Sequence, residues 1–482
     1  MEMAVHPQPP QVSNQPAVRS GRLARLLLIL GVLVLAGAAL IIVRRSPDRG
    51  SSAERLALDS LVECRSTYLA SRLHGGLMGG SPAHDAHKVL RHLYIVAVRT
   101  HAPGAVRRLA LMRYTLGDEA WTRDLELLWR TPEAVSPFRV ERELALWHEV
   151  LAGRTIPTQQ AAVLADRIRE LNLGWFEHLA LAALYTHAHM PGEAADEQDA
   201  ALRSAVALQT SLSVMALAAV FGTALGLAVI IALFRRPRPW WLTPMPNAPV
   251  SPHQASILQA IFGSYLAAYL LLQIAVVQLA HPLARTSPPM RMLASITLTI
   301  AWAAIPYVIY RKWGRACGIT PGVIGWRAQS PLADVLFGVC GYMIALPVVA
   351  LATALSSWVF RAFESPIHPA LMEFAGSRST WVHVLLFMQA GCIAPIFEET
   401  LFRGILYKAL SARIRALPAV LCTSAIFALL HPQLPIGFLG IFLLGAMFNG
   451  LVILRGSLLP AVIAHAVNNT MILLLFALIL GG

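Results

Sequence analysis

The run LLPAVIAHAVNNTMILLLFALIL at residues 458–480 contains no Asp, Glu, Lys or Arg. At 1.5 Å per residue a helix of this length is about 34 Å long, enough to cross a hydrocarbon core of roughly 30 Å. Its polar side chains include His465, Asn468 and Asn469. His465 and Asn469 are four residues apart and share a helix face, so they can converge on one substrate oxygen or metal. Polar groups inside a span are costly, and an ionisable one marks a functional site unless a packing role explains it.

Working outward, seven more apolar segments occupy about 205–234, 255–279, 292–310, 332–360, 381–402, 417–431 and 434–454, and an eighth lies within 22–45. The composition agrees: 56% of the 482 residues are hydrophobic and 13% charged, against about 25% charged in an ordinary soluble domain. The fold expected is all-α, a polytopic bundle of about eight to nine transmembrane helices with an inserted soluble helical domain. The division is 1–21 disordered arm, 22–45 uncleaved signal anchor, 46–204 soluble domain, 205–331 helices and loops, and 332–482 membrane core.

The net charge of +13 does not point to nucleic acid. Residues 46–204 are slightly acidic, and the basic excess lies in short loops beside apolar runs: Arg235, Arg236 and Arg238; Arg311, Lys312 and Arg315; Lys408, Arg413 and Arg415; and Arg455. That is the positive-inside distribution. It predicts an integral multi-pass protein of a bacterial inner (plasma) membrane with residues 46–204 outside the cytoplasm.

Residues 46–204 have mixed charge and helical stripes such as Trp121, Leu125, Leu128 and Trp129, or Leu164, Ile168 and Leu171. No internal repeat of fixed period stands out. The histidines here, including His84, His87, His187 and His189, lack a Cys or carboxylate set at ligand spacing and read as surface residues. Five scattered cysteines offer this region no disulfide framework, since Cys64 alone falls within it.

Outside 46–204 the acidic residues are Glu2, Asp334, Glu364, Glu373, Glu398 and Glu399. The last two are adjacent within an apolar span, in PIFEETLFRG at 395–404. On a helix Glu399 and Arg403 are i, i+4 in the favoured order for an ion pair, while Glu398 lies about 100° away and faces a different partner. One acid is thereby neutralised and the other left to act as a base. A second polar position is His431, in FALLHP at 427–432. Counted at 1.5 Å per residue from the basic edges, Glu398, His431 and His465 reach one layer, roughly 15–20 Å deep.

A Glu and two His at one level form a plausible divalent-metal set of Glu398, His431 and His465. The same groups also suit a metal-free route, with Glu398 and His431 deprotonating a water and His465 with Asn469 stabilising the oxyanion. Either ends in hydrolysis of a carbonyl compound, most simply a peptide bond. Taken singly, each residue also has a packing reading: a buried ion pair, or Asn468 and Asn469 as interhelical glue. His383, in the span of Glu398 but without polar companions, is assigned to packing.

Glu398-Glu399-Thr400-Leu401-Phe402-Arg403, Phe427 to His431 and His465 to Asn469 stand in the order of the Glu-Glu-x-x-x-Arg, Phe-x-x-x-His and His-x-x-x-Asn motifs. In this the chain resembles the CPBP family of intramembrane metalloproteases, also called the CAAX protease and bacteriocin-processing (Abi) family. Pro395, Phe402-Arg403-Gly404, Gly456-Ser457-Leu458 and Pro460 match the family flanks, and the resemblance covers roughly 332–480.

It implies an intramembrane endopeptidase acting on a membrane-associated protein or peptide. Glu398 and His431 would activate water, and His465 and Asn469 would hold the oxyanion or complete the shell of a divalent metal, zinc before others. Glu399 and Arg403 would support the site. The resemblance gives no role to 46–204. A non-catalytic membrane scaffold or immunity-type binder using the same bundle is the rival reading; a transporter fits less well, since no repeated halves are seen.

Overall fold

The computed structural model describes residues 50–72, 82–131, 136–235, 250–284, 306–327, 330–360 and 379–480, with isolated positions from 290 to 304 and at 371 and 374. The expected arm and signal anchor lie outside these residues. Among the described residues every regular element is helical.

The soluble part begins with α1 (Gly50–Arg72), α2 (Pro82–Thr100), α3 (Pro103–Thr115) and α4 (Trp121–Leu125). It continues with α5 (Pro137–Leu151), α6 (Thr158–Glu170) and α7 (Trp175–His187). Pro103 and Pro137 open their helices at positions whose missing N–H costs nothing. These helices share one apolar core, in which Trp147, Phe176, Leu109, Leu125, Leu164 and Ile168 are almost wholly buried. After α4 the backbone tightens into a 3-10 turn over Glu126–Arg130, and the change of period swings Trp129 out while Leu128 stays in.

A 45-residue helix, α8 (Pro191–Arg235), leaves this core and runs on into apolar sequence. The change of composition at 204 therefore falls inside a continuous helix, because nothing there breaks it. Its membrane half packs on α10 (Pro331–Val359), where Thr223 Oγ1 donates to the Met343 carbonyl at 2.9 Å. Gly222 makes this crossing close, since a Cβ there would stand 2.8 Å from Met343 Sδ. Between them in sequence comes α9 (Pro252–Ala284).

The last third contains α11 (Thr380–Ser411), α12 (Ala416–Leu429), α13 (Phe438–Arg455) and α14 (Leu459–Leu480). Among the described residues five helices are long and apolar enough to cross a membrane: Pro191–Leu225, Pro331–Val359, Thr380–Ser411, Phe438–Arg455 and Leu459–Ile479; Ala416–Leu429 is apolar but shorter. The segment expected from 434 starts as a helix only at Phe438, after Pro435. Gly456, in the left-handed conformation at φ 64°, ends α13, and the chain turns directly into α14.

Arg65 of α1 donates from Nη1 to the Ile479 carbonyl at 3.0 Å. The soluble part thus sits at the C-terminal end of α14, opposite the end that adjoins Arg455. Arg65 is itself almost fully buried, and burial pushes its guanidinium down to about 10.

Candidate active site

The helix α11 carries the acidic pair and is not uniform. Its α-helical stretches Thr380–Met388 and Ala394–Glu399 are separated by a π turn at Gln389–Ile393 and followed by a π segment at Thr400–Tyr407. Wide turns of this kind concentrate at functional sites because they release backbone groups and rotate side chains off the regular helical screw. Pro395, at the second position of the stretch Ala394–Glu399, lacks an N–H, which suits the break that precedes it.

Glu399 and Arg403 form the expected ion pair, Nη1 to Oε1 at 3.0 Å, with both side chains 0% exposed. The same Glu399 Oε1 accepts a hydrogen bond from His465 Nδ1 of α14 at 2.8 Å. The other nitrogen of that imidazole, Nε2, lies 3.9 Å from Glu398 Oε2. Adjacent carboxylates expected to serve different partners instead meet the two nitrogens of one histidine.

Aromatic rings close this centre. Phe448 of α13 stacks on His465, centroids 5.1 Å apart and planes 19° from parallel. The Arg403 guanidinium lies over Phe427 at 4.4 Å and over Phe448 at 5.1 Å. These faces of negative potential help hold a cation out of water. Arg403 Nη2 also donates to the Gly445 carbonyl at 3.1 Å. Gly445 has to be small, because a Cβ there would stand 3.3 Å from both Nη2 and Ser424.

His431 follows the end of α12, and its Nδ1 donates to the Phe427 carbonyl at 2.7 Å. A carbonyl only accepts, so the proton sits on Nδ1 and the lone pair of the neutral ring on Nε2. Its ring packs on Phe427 at 4.6 Å, and Phe427 in turn meets His465 edge-on at 6.0 Å. Phe427 thus contacts both histidine rings. Asn469 donates from Nδ2 to the Ala390 carbonyl at 2.8 Å, a group inside the first π turn. It ties α14 to α11. Asn468 donates to Asn469 Oδ1.

The expected metal set meets a geometric objection. Among the described residues no group of three His, Cys, Asp or Glu side chains is close enough to hold a metal ion. Glu398 and His465 approach each other, but His431 does not complete a three-donor shell with them. The packing role of His383 agrees with the sequence reading: it bonds the Phe374 carbonyl at 3.2 Å and stacks on that ring.

Asn449 is a polar residue of this region that the motifs do not contain. It is fully buried on α13 and donates to the Gly445 carbonyl at 2.9 Å and to Ser424 Oγ at 3.4 Å. Four buried polar atoms here have no hydrogen-bond partner: Glu398 Oε2, Glu399 Oε2, Arg403 Nε and Asn449 Oδ1. Such a concentration is unusual for a packing cluster and ordinary for a site that takes up a ligand.

No curated protein and no solved structure matches the chain. A family model does: residues 379–471 match type II CAAX prenyl endopeptidase Rce1-like. The match begins at the residue before α11, covers α12 and α13, and ends within α14 beyond Asn469, so all six motif side chains fall inside it. It leaves the soluble part and the first membrane helices uncovered. Over these residues the chain is similar to the CAAX protease family that its three motifs resemble.

Proposed function

We propose that the protein is an intramembrane endopeptidase that hydrolyses a peptide bond of a membrane-associated protein or peptide. The observation that carries this reading is Glu398 Oε2, buried without a hydrogen-bond partner and 3.9 Å from a histidine nitrogen. That separation suits one water molecule touching both groups.

In this mechanism Glu398 takes a proton from the water, the oxygen attacks the peptide carbonyl, and Glu398 returns the proton to the leaving nitrogen. Glu399, placed against His465 Nδ1, supports a positive imidazole, whose Nε2–H then faces the oxyanion as it forms. Arg403 pairs with Glu399 and keeps it in place. His431, with its lone pair on Nε2, serves as a second base on the far side of Phe427. Asn469 fixes α14 against α11. No step is routed through a metal, because the three-donor group is not assembled.

The basic loops and the position of the soluble part at the Leu480 end of α14 both support a topology with residues 46–204 outside the cytoplasm, where they would meet a substrate or a partner. Comparing membranes that hold the wild type with membranes that hold Glu398→Ala or His431→Ala tests the reading. Wild type is expected to remove particular peptides that both variants leave intact at equal protein level. If both variants cleave a verified substrate normally, the assignment is wrong and the scaffold reading takes its place.

A further inference from the structure

The segment before α10 makes a series of contacts that neither the motifs nor the family match includes. Four consecutive residues, Ile324 to Arg327, each touch either α11 or the turn that leads into α14, the two elements that bring Glu399 and His465 together. The Ile324 carbonyl lies against α11 at Gly404, where a Cβ would stand 2.7 Å from that oxygen. The Gly325 carbonyl accepts from the Leu458 N–H at 2.9 Å, at the entrance to α14. Trp326 Nε1 donates to Thr400 Oγ1 at 3.0 Å. Arg327 Nε donates to the Gly456 carbonyl at 3.1 Å.

Two positions show that this strap is built for close approach. Gly325 adopts φ +99°, a conformation side chains rarely take, and its missing Cβ would stand 3.1 Å from Leu458. Gly404 leaves the room that the Ile324 carbonyl fills. Thr400, the residue after Glu399, opens the π segment and passes its own hydroxyl proton back to the Ile396 carbonyl at 2.6 Å. The indole N–H, the threonine hydroxyl and that carbonyl form a directed chain across the turn bearing both glutamates.

We propose that the strap 324–327 sets the position of Glu399 against His465, with Trp326 acting through Thr400 as its anchoring positioning residue. One side of the strap holds α11 within one residue of Glu399, and the other holds the turn that leads into α14, about two helical turns before His465. Loss of the indole hydrogen bond frees the turn at 396–400 without removing any group that meets substrate. The proposal deepens the peptidase reading, but its geometric content is independent of it.

The test uses full-length protein labelled with [15N]histidine and reconstituted in nanodiscs, with the His465 signals assigned by their loss in His465→Gln. Trp326→Phe and Thr400→Val are each expected to move the His465 Nδ1 resonance in the same direction. Thr400→Ser, which keeps the hydroxyl, is expected to leave it in place, and the double variant to match either single one. On a substrate identified in membranes, the same two variants should lower kcat about tenfold with KM unchanged, and Thr400→Ser should restore it. An unmoved His465 signal in both variants, or additive effects in the double variant, would overturn the proposal. Moved signals in a protein that cleaves nothing would uphold the strap and sink the peptidase reading alone.

Discussion

Two arginine–glutamate pairs, one in each part of the molecule, use the same groups to different ends. In the soluble part Arg107 grips Glu143 with two bonds, 2.6 and 2.7 Å, and Trp147 Nε1 adds a third at 3.1 Å. None of those side chains has a buried polar atom without a partner. In the membrane part Arg403 and Glu399 are joined by one bond at 3.0 Å, and Arg403 Nε and Glu399 Oε2 both stay without partners, completely buried. The first pair is finished by the protein; the second is held by aromatic rings and a histidine in an arrangement that leaves capacity unused. The cost of that incompleteness in the region where desolvation is most severe is the physical sign of a working site.

The sharpest way to break the comparison is at Glu398. Replacing it by Ala should lower cleavage by roughly 10²–10⁴-fold while the protein inserts and accumulates normally, measured as substrate turnover per mole of reconstituted protein. Next come the two arginines. Arg403→Ala leaves the Glu399 carboxyl at zero exposure with His465 as its remaining partner, so a loss of about 3–5 kcal/mol is expected, read as a lowered unfolding midpoint together with lost cleavage. Arg107→Ala leaves Glu143 with its Trp147 bond and a path to water; a cost of about 1–3 kcal/mol with cleavage retained is expected. Equal stability losses, or equal effects on cleavage, would erase the distinction between the pairs.

A smaller effect is expected at Gly445. Its Ala variant pushes a methyl group to 3.3 Å from Arg403 Nη2, and several-fold slower turnover at unchanged expression is predicted from enzyme assays. The smallest is in the soluble part. Asp118 accepts the Ala120 N–H at 2.9 Å and pairs with Arg113, and these contacts, the backbone bond first, hold its carboxyl below the ordinary range. A depressed carboxyl stabilises the fold above the unfolded value of about 3.9, and that contribution disappears as pH falls through the folded value. Asp118→Asn should therefore flatten the acid side of the thermal-stability profile slightly and leave cleavage at neutral pH unchanged.

Much of this contrast was legible in the sequence. The acidic pair within an apolar span, the i, i+4 order of Glu399 and Arg403, and the apolar stripes of residues 46–204 are local patterns, and local patterns survive folding. Glu398 escaped the same logic because two π segments flank it, and a regular helical screw cannot predict where side chains point across such turns. The contact of the Asn469 amide with the Ala390 carbonyl, which the first π turn presents, was not legible for the same reason. Asn449 and the strap at 324–327 gave no signal at all: they matter through contacts with residues more than twenty or seventy positions away. The long helix α8 hid the domain boundary for the opposite reason, since composition changes at 204 and backbone conformation does not.

The central claim, that Glu398 facing His465 supplies the base for peptide hydrolysis, is tested most directly with Glu398→Gln. This variant keeps the size and polarity of the side chain and removes its capacity to take a proton. Reconstituted with a substrate identified from membranes, it should hold the intact substrate through purification and release no product. Turnover at the wild-type rate would contradict the account.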